Sequence, residues 1–193
     1  MQGHVPLQRR RREGVTDYRA RKKAISSKSV LLVVRFSNKN VSAQFVTPKV
    51  KGDDVLASAH SRQLRKLGWK GSLKSTPASY LLGLVAGRAA VAKGVSEAVL
   101  YNGLSPFVSG ARVPAFVKGV VDAGVVVPMS DEVIPKDERI QGKSIADYAG
   151  KLAADDKEAY ARIFSGLLKE GFKPEGYPAE FAKMKSSISG GKK

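Results

Sequence analysis

The chain has 193 residues, and 34 Lys and Arg against 17 Asp and Glu give it a formal net charge of +17. Hydrophobic residues make up 42% of it, enough for a folded core, and the absence of cysteine excludes disulfides and thiolate metal sites. His4 and His60 are too few for a zinc site built on histidine. No apolar stretch is long enough for a membrane-spanning helix, and the basic N-terminus lacks the apolar segment of a secretory signal.

The positive charge is concentrated at the front of the chain and predicts a polyanionic partner. Residues 1–75 hold 18 Lys and Arg against 4 Asp and Glu, whereas residues 76–193 hold 16 against 13. Arg9–Arg12 form an uninterrupted run that predicts nucleic-acid binding, because Arg makes planar bidentate contacts with phosphate. A targeting signal, a membrane arm and an idle tail are the alternatives. Gln8–Lys23 is expected to be disordered alone, with a short helix plausible from Thr16 to Ile25 and Thr16 as its N-cap.

The segment after this arm predicts an antiparallel meander of three strands. Ser29–Phe36 is almost continuously apolar, which is typical of a strand covered on both faces. Ser37–Asn40 interrupts the run, and because Asn tolerates positive φ, a tight hairpin is expected there. Val41–Val46 alternates between apolar and polar residues, and Val55–His60 is the third strand.

Helices and a later strand are expected to complete an α/β core. A short helix over 62–67 ends at Gly68, and a long helix begins after Thr76 and ends before Gly94. Gly83 and Gly87 of the long helix are expected to pack closely against the sheet. Residues 98–101 form a strand parallel to an earlier one, residues 113–121 an amphipathic helix ended by Gly124, and residues 125–127 a candidate last strand. The apolar stripe expected to bury the long helix is Leu81, Leu84, Val85, Ala89 and Ala92.

The predicted fold class is α/β, with a mixed sheet that contains the three-stranded meander, one or two later strands and packed helices. A basic arm spans 1–28, the core spans 29–128 and a helical extension spans 129–193. In the extension, 129–141 is predicted as loop, 145–152 as helix, and a stronger helix begins at Asp155 and ends at Gly171, while the tail after Gly190 is expected to fray. The core stripe of that stronger helix is Tyr160, Ile163, Phe164, Leu167 and Leu168.

The sequence carries no strong catalytic motif. Gly142–Ser144 matches the end of a phosphate-binding loop, but Asp137 stands where that motif needs its first Gly. A nuclease with an RNase H-like core shares the predicted order of elements, but its two metals need carboxylates on the central strands, and the first strand has none. His60 and Ser61 are neighbours on a strand and face opposite ways, so they make a poor base–nucleophile pair. No enzyme activity, cofactor or metal is predicted.

RNA is favoured over DNA as the polyanion. The sequence has no helix-turn-helix, zinc-finger or basic-zipper pattern. An exposed face of the predicted sheet and its loops carry polar and basic residues that suit RNA shape and backbone contacts. These residues are Arg35, Ser37, Asn38, Lys39, Ser42 and Gln44.

Five segments in order resemble one known family. They are Arg35–Asn40, Leu56–Ser61, Gly83–Arg88, Ala98–Gly103 and Gly110–Gly124. Together they resemble the L-eighteen family of large-subunit ribosomal proteins, which bind 5S rRNA. Other segments, together with the C-terminal helices, resemble the archaeal and eukaryotic branch of that family, and the length of the chain fits the archaeal form better than the longer eukaryotic one. These further segments are Arg9–Arg12 with Thr16–Tyr18, Gly68-Trp69, and Pro77–Leu81.

The resemblance implies a structural protein of cytoplasmic ribosomes that binds 5S rRNA and attaches it to 23S rRNA in the central protuberance. It also implies neighbouring large-subunit proteins as partners, no membrane contact and no homo-oligomer. An RNA-processing nuclease on an RNase H-like scaffold and a non-ribosomal RNA chaperone are the alternatives. The expected RNA contacts are Arg9, Arg10, Arg11, Arg12, Tyr18, Arg19, Arg21, Lys22, Lys23, Arg35, Ser37, Asn38, Lys39, Gln44, Trp69 and Arg112.

Overall fold

The computed structural model describes residues 6–190 and contains one four-stranded mixed sheet in the order β3-β2-β1-β4. β1 pairs antiparallel with β2, β2 pairs antiparallel with β3, and β4 pairs parallel with β1, so the predicted meander and the later parallel strand are confirmed. The candidate last strand over 125–127 is only a single bridge between Glu97 and Val126. The strands are Leu31–Phe36 (β1), Val41–Thr47 (β2), Asp54–His60 (β3) and Val99–Tyr101 (β4).

The helices of the described residues lie before, within and after the strands. Their bounds are Arg9–Arg12 (α1), Tyr18–Ser27 (α2), Arg62–Lys66 (α3), Thr76–Val91 (α4), Arg112–Asp122 (α5), Asp137–Gln141 (α6), Lys143–Asp155 (α7), Lys157–Ile163 (α8), Ser165–Lys169 (α9) and Tyr177–Gly190 (α10). None of them is long and apolar enough to cross a membrane. His4 and the last three residues of the tail fall outside the described part of the chain.

The β1–β2 hairpin forms as predicted, but different hydrogen bonds and backbone angles close its turn. The Ser37 N–H donates to the Asn40 carbonyl at 2.8 Å, and the Asn40 N–H donates to Ser37 Oγ at 3.0 Å. Among the described non-glycine residues only Lys28 has a positive φ, of 55°. The expectation of a left-handed Asn was therefore wrong, because the Ser37 hydroxyl closes the turn without it.

One face of the sheet lies in the hydrophobic core, and α4 packs against it. Side chains alternate along each strand, so the residues between the buried ones face the other way. The core side carries Leu32, Val34, Val41, Ala43 and Phe45, all at most 1% exposed. The other face, here called the open face, carries Val33, Arg35, Ser42, Gln44, Ser58 and His60.

Helix α4 is buried on several sides, so the single stripe predicted for it was wrong. Ala92 of that stripe is exposed and Val85 and Ala89 are only half-buried, while Leu82 and Ala90, outside the stripe, are fully buried. The reason is that α4 contacts β2 and β3, α5, and the later helices α6 and α10.

The glycines of α4 pack against α5. The prediction that they pack against the sheet was therefore wrong. A Cβ on Gly83 would lie 2.2 Å from the Phe116 carbonyl oxygen, and one on Gly119 would lie 2.2 Å from the Tyr80 carbonyl oxygen. A Cβ on Gly87 would meet Ala123 Cβ at 2.6 Å. Because the obstacle at Gly83 and Gly119 is backbone, these two helices approach more closely than any side chain allows.

Helix α2 covers one end of the open face. Its N-cap is Asp17, whose carboxylate accepts from two backbone N–H groups of the first turn, and not Thr16 as predicted. Ala24 packs into a small cluster with Leu31 and Val46. Thus β1 is covered on both faces, as its apolar run indicated, although only at the α2 end.

An ion pair fixes α2 to the turn before β3. The Arg21 guanidinium donates to both carboxylate oxygens of Asp53, with 2.8 Å from Nη1 to Oδ2, and to the Lys49 carbonyl at 3.2 Å. These hydrogen bonds lower the pKa of Asp53 and raise the pKa of Arg21. Part of the predicted arm is therefore attached to the sheet. In α1, by contrast, no residue is buried.

The C-terminal extension departs most from the sequence predictions. Residues 137–141 form α6 where a loop was expected, and the stronger helix is divided at Phe164 into α8 and α9. Of its predicted core stripe only Phe164 is buried, and Ile163 is 49% exposed. Helix α10 was not anticipated. It buries Tyr177, Phe181, Met184 and Ile188 in the cluster that also holds the core face of the sheet.

We expect Gly119→Ala to lower the free energy of unfolding by about 1–3 kcal/mol, because its methyl group would meet backbone that can only move by separating α4 from α5. The measurement is denaturant unfolding. Gly150→Ala is the matched control, since nothing lies within 4 Å of a Cβ there. That helical substitution should be neutral or stabilise by up to about 1 kcal/mol. Equal effects at the two sites would contradict the close approach.

We expect Asp53→Asn to release α2, with faster trypsin cleavage after Arg19 and a loss of about 0.5–1 kcal/mol of stability. Because the pKa of Asp53 is lowered in the fold, the contribution of the ion pair is complete above about pH 4 and is lost as the pH falls through the folded-state pKa. Asp54→Asn is the control, since Asp54 pairs with Lys49 and not with α2. Identical cleavage in both variants would refute the attachment.

Candidate nucleic-acid interface

The open face of the sheet presents a polar row across three strands. The pairing registers place Arg35 beside Ser42 and Ser42 beside His60, with Val33, Gln44 and Ser58 in the next row. Arg35 and Gln44 are exposed, and the Arg35 side chain has no hydrogen bond or ion pair to another described residue. The strand pattern therefore predicted correctly that these side chains share the face directed away from the core.

A buried serine forms hydrogen bonds with the hairpin between β1 and β2. Ser61 Oγ accepts from the Val41 N–H at 3.1 Å and donates to Asn40 Oδ1 at 3.2 Å. Ser61 is fully buried, so this contact fixes one end of the hairpin to the start of α3. Sequence reasoning considered Ser61 only as a nucleophile beside His60. Instead, His60 Nδ1 accepts from the Arg62 N–H at 3.2 Å.

The hairpin tip remains available for a ligand. Ser37, Asn38 and Lys39 are all exposed, and only the Ser37 hydroxyl is used within the turn. A cavity of about 810 Å³, here called the hairpin groove, lies between the tip, α3, the loop before α4 and α9. Its lining is basic at the rim and apolar below: Lys39, Arg62, Arg65 and Lys74, with Leu73, Ile163 and Leu167. Glu170, also in the lining, is paired with Arg65.

A second cavity, here called the arm groove, lies between α2, the open face and the loop after β4. Its volume is about 670 Å³. Arg10, Arg21 and Arg35 reach it from three different elements, and Tyr18 and Tyr101 also line it. The arm residues and the sheet residues, which lie apart in the sequence, thus line the same groove.

The arm residues divide into exposed and anchored ones. Tyr18 and Arg21 are half-buried, and Arg10 Nε donates to Thr16 Oγ1 at 2.8 Å, which holds α1 near the start of α2. The exposed basic residues are Arg9, Arg10, Arg11, Arg12, Arg19, Lys22 and Lys23. Each of them can face a polyanion, whereas the Arg21 guanidinium is occupied by Asp53.

Trp69 does not belong to the interface, and its prediction as an RNA contact was wrong. It is 1% exposed, its ring stacks edge-on against Tyr177 at a centroid distance of 5.9 Å, and its Nε1 donates to the Ser72 carbonyl at 3.3 Å. The Tyr177 hydroxyl accepts from the Ser72 N–H at 2.8 Å, and burial raises its pKa. This aromatic cluster joins α10 to the loop before α4.

Arg112 is exposed, as an RNA contact must be. Its guanidinium lies 4.8 Å from the centroid of the Phe36 ring and makes a long contact of 3.5 Å with the Lys74 carbonyl. Phe36 is the last residue of β1, so this cation–π contact places a positive charge beside the hairpin.

The segment Gly142–Ser144 is a helix junction in this fold. Gly142, at φ 85°, ends α6 and begins α7, and Lys143 Nζ donates to Glu138 Oε1 at 2.9 Å. That hydrogen bond lowers the pKa of Glu138 and raises the pKa of Lys143. Within residues 6–190, no three His, Asp or Glu side chains are grouped as metal ligands would be.

Comparisons with known proteins point to one family. The family model described as "Ribosomal large subunit proteins 60S L5, and 50S L18" matches residues 5–97. A relative from Thermofilum pendens, named "Large ribosomal subunit protein uL18", is 45% identical over 95% of this chain and 93% of its own length. A relative of the same name from Aeropyrum pernix is 45% identical over 95% of this chain and 86% of its own length. Another, from Methanothermobacter thermautotrophicus, is 44% identical over 93% of this chain and 92% of its own length.

The similarity to these relatives extends over 93–95% of this chain, so it is not confined to one motif. All three relatives carry the name of a large ribosomal subunit protein. The chain belongs to the uL18 family of large ribosomal subunit proteins.

Proposed function

We propose that this protein binds 5S rRNA and attaches it to 23S rRNA in the central protuberance, beside neighbouring proteins of the large subunit. The observation that carries the proposal is a pair of basic grooves, one beside the arm and one beside the hairpin tip. Arg35 lines the arm groove, and Asn38 and Lys39, a few residues later, line the hairpin groove. The acids beside Arg35 are already occupied, since Asp53 pairs with Arg21 and Asp17 caps α2.

RNA suits this surface better than a lipid membrane does. The exposed arm carries a run of arginines without an accompanying apolar face, and membrane-surface helices need such a face. Sequence-specific RNA binding uses sheet faces and loops that take up unstacked bases, together with phosphate contacts from Lys and Arg. The open face and the hairpin tip provide the surface for unstacked bases, and the arm provides the phosphate contacts.

Attaching one RNA to another requires two separate surfaces on the same protein. The arm groove and the hairpin groove meet this requirement, because each has its own basic lining and the two share no lining residue. We assign 5S rRNA to the open face with the arm groove. The exposed hairpin tip is assigned to 5S rRNA as well, and the part of the hairpin groove formed by α3, the loop before α4 and α9 is assigned to 23S rRNA. The remaining surface of the extension is assigned to protein neighbours, and the chain acts as one copy.

The first test measures how much of the affinity comes from the exposed arginines. Deleting the arm would uncover the Leu31 and Val46 cluster beneath α2, so replacing Arg9–Arg12 by Gln is the cleaner change. If each of the four neutralises one phosphate, the slope of log K against log salt flattens by about 3, at about 0.7 per phosphate for RNA with single-stranded regions. The measurement is a salt titration with 5S rRNA.

A matched variant carries the same charge change elsewhere. Four exposed lysines that line neither groove are replaced by Gln: Lys151, Lys157, Lys173 and Lys183. Their slope should stay close to that of the unmodified protein. Both quadruple variants should still prefer 5S rRNA over an unrelated RNA of equal length. An equal slope change in the two variants would show that total charge, and not the arm, determines the affinity.

The second test concerns the sheet end and the hairpin tip. Replacing Arg35, Asn38 and Lys39 by Ala should weaken 5S rRNA binding, because the three exposed side chains have no other described partner. The thermal midpoint should barely move, since exposed positions usually shift stability by within about 0.5 kcal/mol. Binding by filter assay and thermal unfolding are measured together.

The control for the triple variant is Arg139, Gln141 and Lys183 replaced by Ala, which removes the same number of charges from exposed positions of the extension. Its affinity for 5S rRNA should be nearly unchanged. A large stability loss with intact affinity in the triple variant at the hairpin would show that those residues are structural, and this outcome would contradict the proposal.

A further inference from the structure

The arm groove has a floor, two walls and an opening. Val33 of β1 and Tyr101 of β4 are paired in register and form the floor. One wall is the start of α2 with Tyr18 and the turn before it. The other wall is the loop after β4, where Leu104 is 57% exposed. The volume of about 670 Å³ lies within the range of about 300–1,000 Å³ that is typical of small-ligand pockets.

The arm groove carries positive charge whose hydrogen-bond donors are free to bind an anion. Both acids in the lining are held by the protein itself, because Asp53 pairs with Arg21 and Asp17 accepts backbone N–H groups at the start of α2. Arg35 has no partner among the described residues, and Arg10 uses only its Nε, toward Thr16. The two guanidinium groups therefore keep donors for an anion, and phosphate is the anion that a planar guanidinium fits.

The rest of the lining is aromatic and apolar. Tyr18 comes from one wall of the groove and Tyr101 from its floor, and the hydroxyl of neither tyrosine donates to another described residue. Val33, Leu104 and Pro106 supply apolar surface next to them. An aromatic ring beside arginines is the combination with which proteins hold single-stranded RNA, because bases stack on the ring while phosphates meet the cations.

We propose that the arm groove holds one unpaired nucleotide of the bound RNA, with its base against the tyrosine rings and its phosphate between Arg10 and Arg35. This inference rests on the proposed RNA-binding function and makes it specific. A protein segment is the competing occupant, but an acidic peptide would need no stacking surface, and an apolar one would leave both guanidinium groups without partners. The groove thus selects a flipped-out nucleotide over continuous duplex.

The test removes the rings without changing the charge. Tyr18→Leu should weaken binding of 5S rRNA and of a short single-stranded oligouridylate by about 10-fold, the size expected for one stacked base. Tyr18→Phe should bind within about 2-fold of the unmodified protein, because the ring is kept. The slope of log K against log salt should be unchanged in both. Arg35→Gln should instead flatten that slope by about 0.7.

Tyr101→Leu is the second ring variant, and circular dichroism checks that it folds, because Tyr101 packs against the cluster under α2. Tyr148→Leu is the matched control, since Tyr148 is 50% exposed on α7 and lines neither groove. Its RNA affinity should not change. A short RNA duplex should be bound equally by all ring variants.

The outcomes separate this inference from the proposed function. If the unmodified protein prefers 5S rRNA and the two Leu variants at Tyr18 and Tyr101 bind it equally well, the nucleotide site is overturned and 5S rRNA binding stands. If there is no preference for 5S rRNA, the proposed function fails, and weaker oligouridylate binding by Tyr18→Leu still supports the site. Unchanged binding of both RNAs would leave the groove to a protein segment and overturn the inference.

Discussion

The backbone contact between α4 and α5 is the constraint on which the rest of the structure depends. Gly83 and Gly119 allow the two helices to touch without intervening side chains. With α5 this close, α4 can also contact the sheet, α6 and α10, and almost no part of it remains exposed. A bulkier contact would move α5 outward, and every element that packs on α4 would need a new position.

Because all of this packing lies on one side of the sheet, the other side is left for function. The open face is covered only at its α2 end, and the remainder carries polar side chains on a rigid strand framework. The protein keeps this surface positive by using its own arginine against the nearest acid, since Arg21 neutralises Asp53. Arg35 has no competing partner within the described chain, so an RNA phosphate that meets it displaces no existing ion pair.

Local patterns predicted the strands and which side chains share the open face of the sheet. The alternation of β2 and the break at Ser37–Asn40 identified the meander, and the residues between the core residues proved to face away from the core. Periodicity reports how a segment is buried but not against what, so the partner of Gly83 was misassigned. Trp69 was misassigned for the same reason. Its partner, Tyr177, belongs to a helix that no local pattern had indicated, and the hydrogen bond between that tyrosine and Ser72 spans 105 residues.

The position of α10 has a consequence for synthesis on the ribosome. The Arg88 guanidinium of α4 donates to the Ser189 carbonyl, 101 residues later, and Tyr80 stacks on Phe181. Because the ribosome adds about 5–20 residues per second, the residues of α10 that cover α4 are synthesised about 5–20 s after α4 itself. The β1–β2 hairpin and α2 need only contacts close in sequence and form earlier. During translation the arm groove, whose last lining residue is Pro106, is therefore complete while the opposite side still exposes apolar groups, and a nascent chain in that state is prone to aggregate.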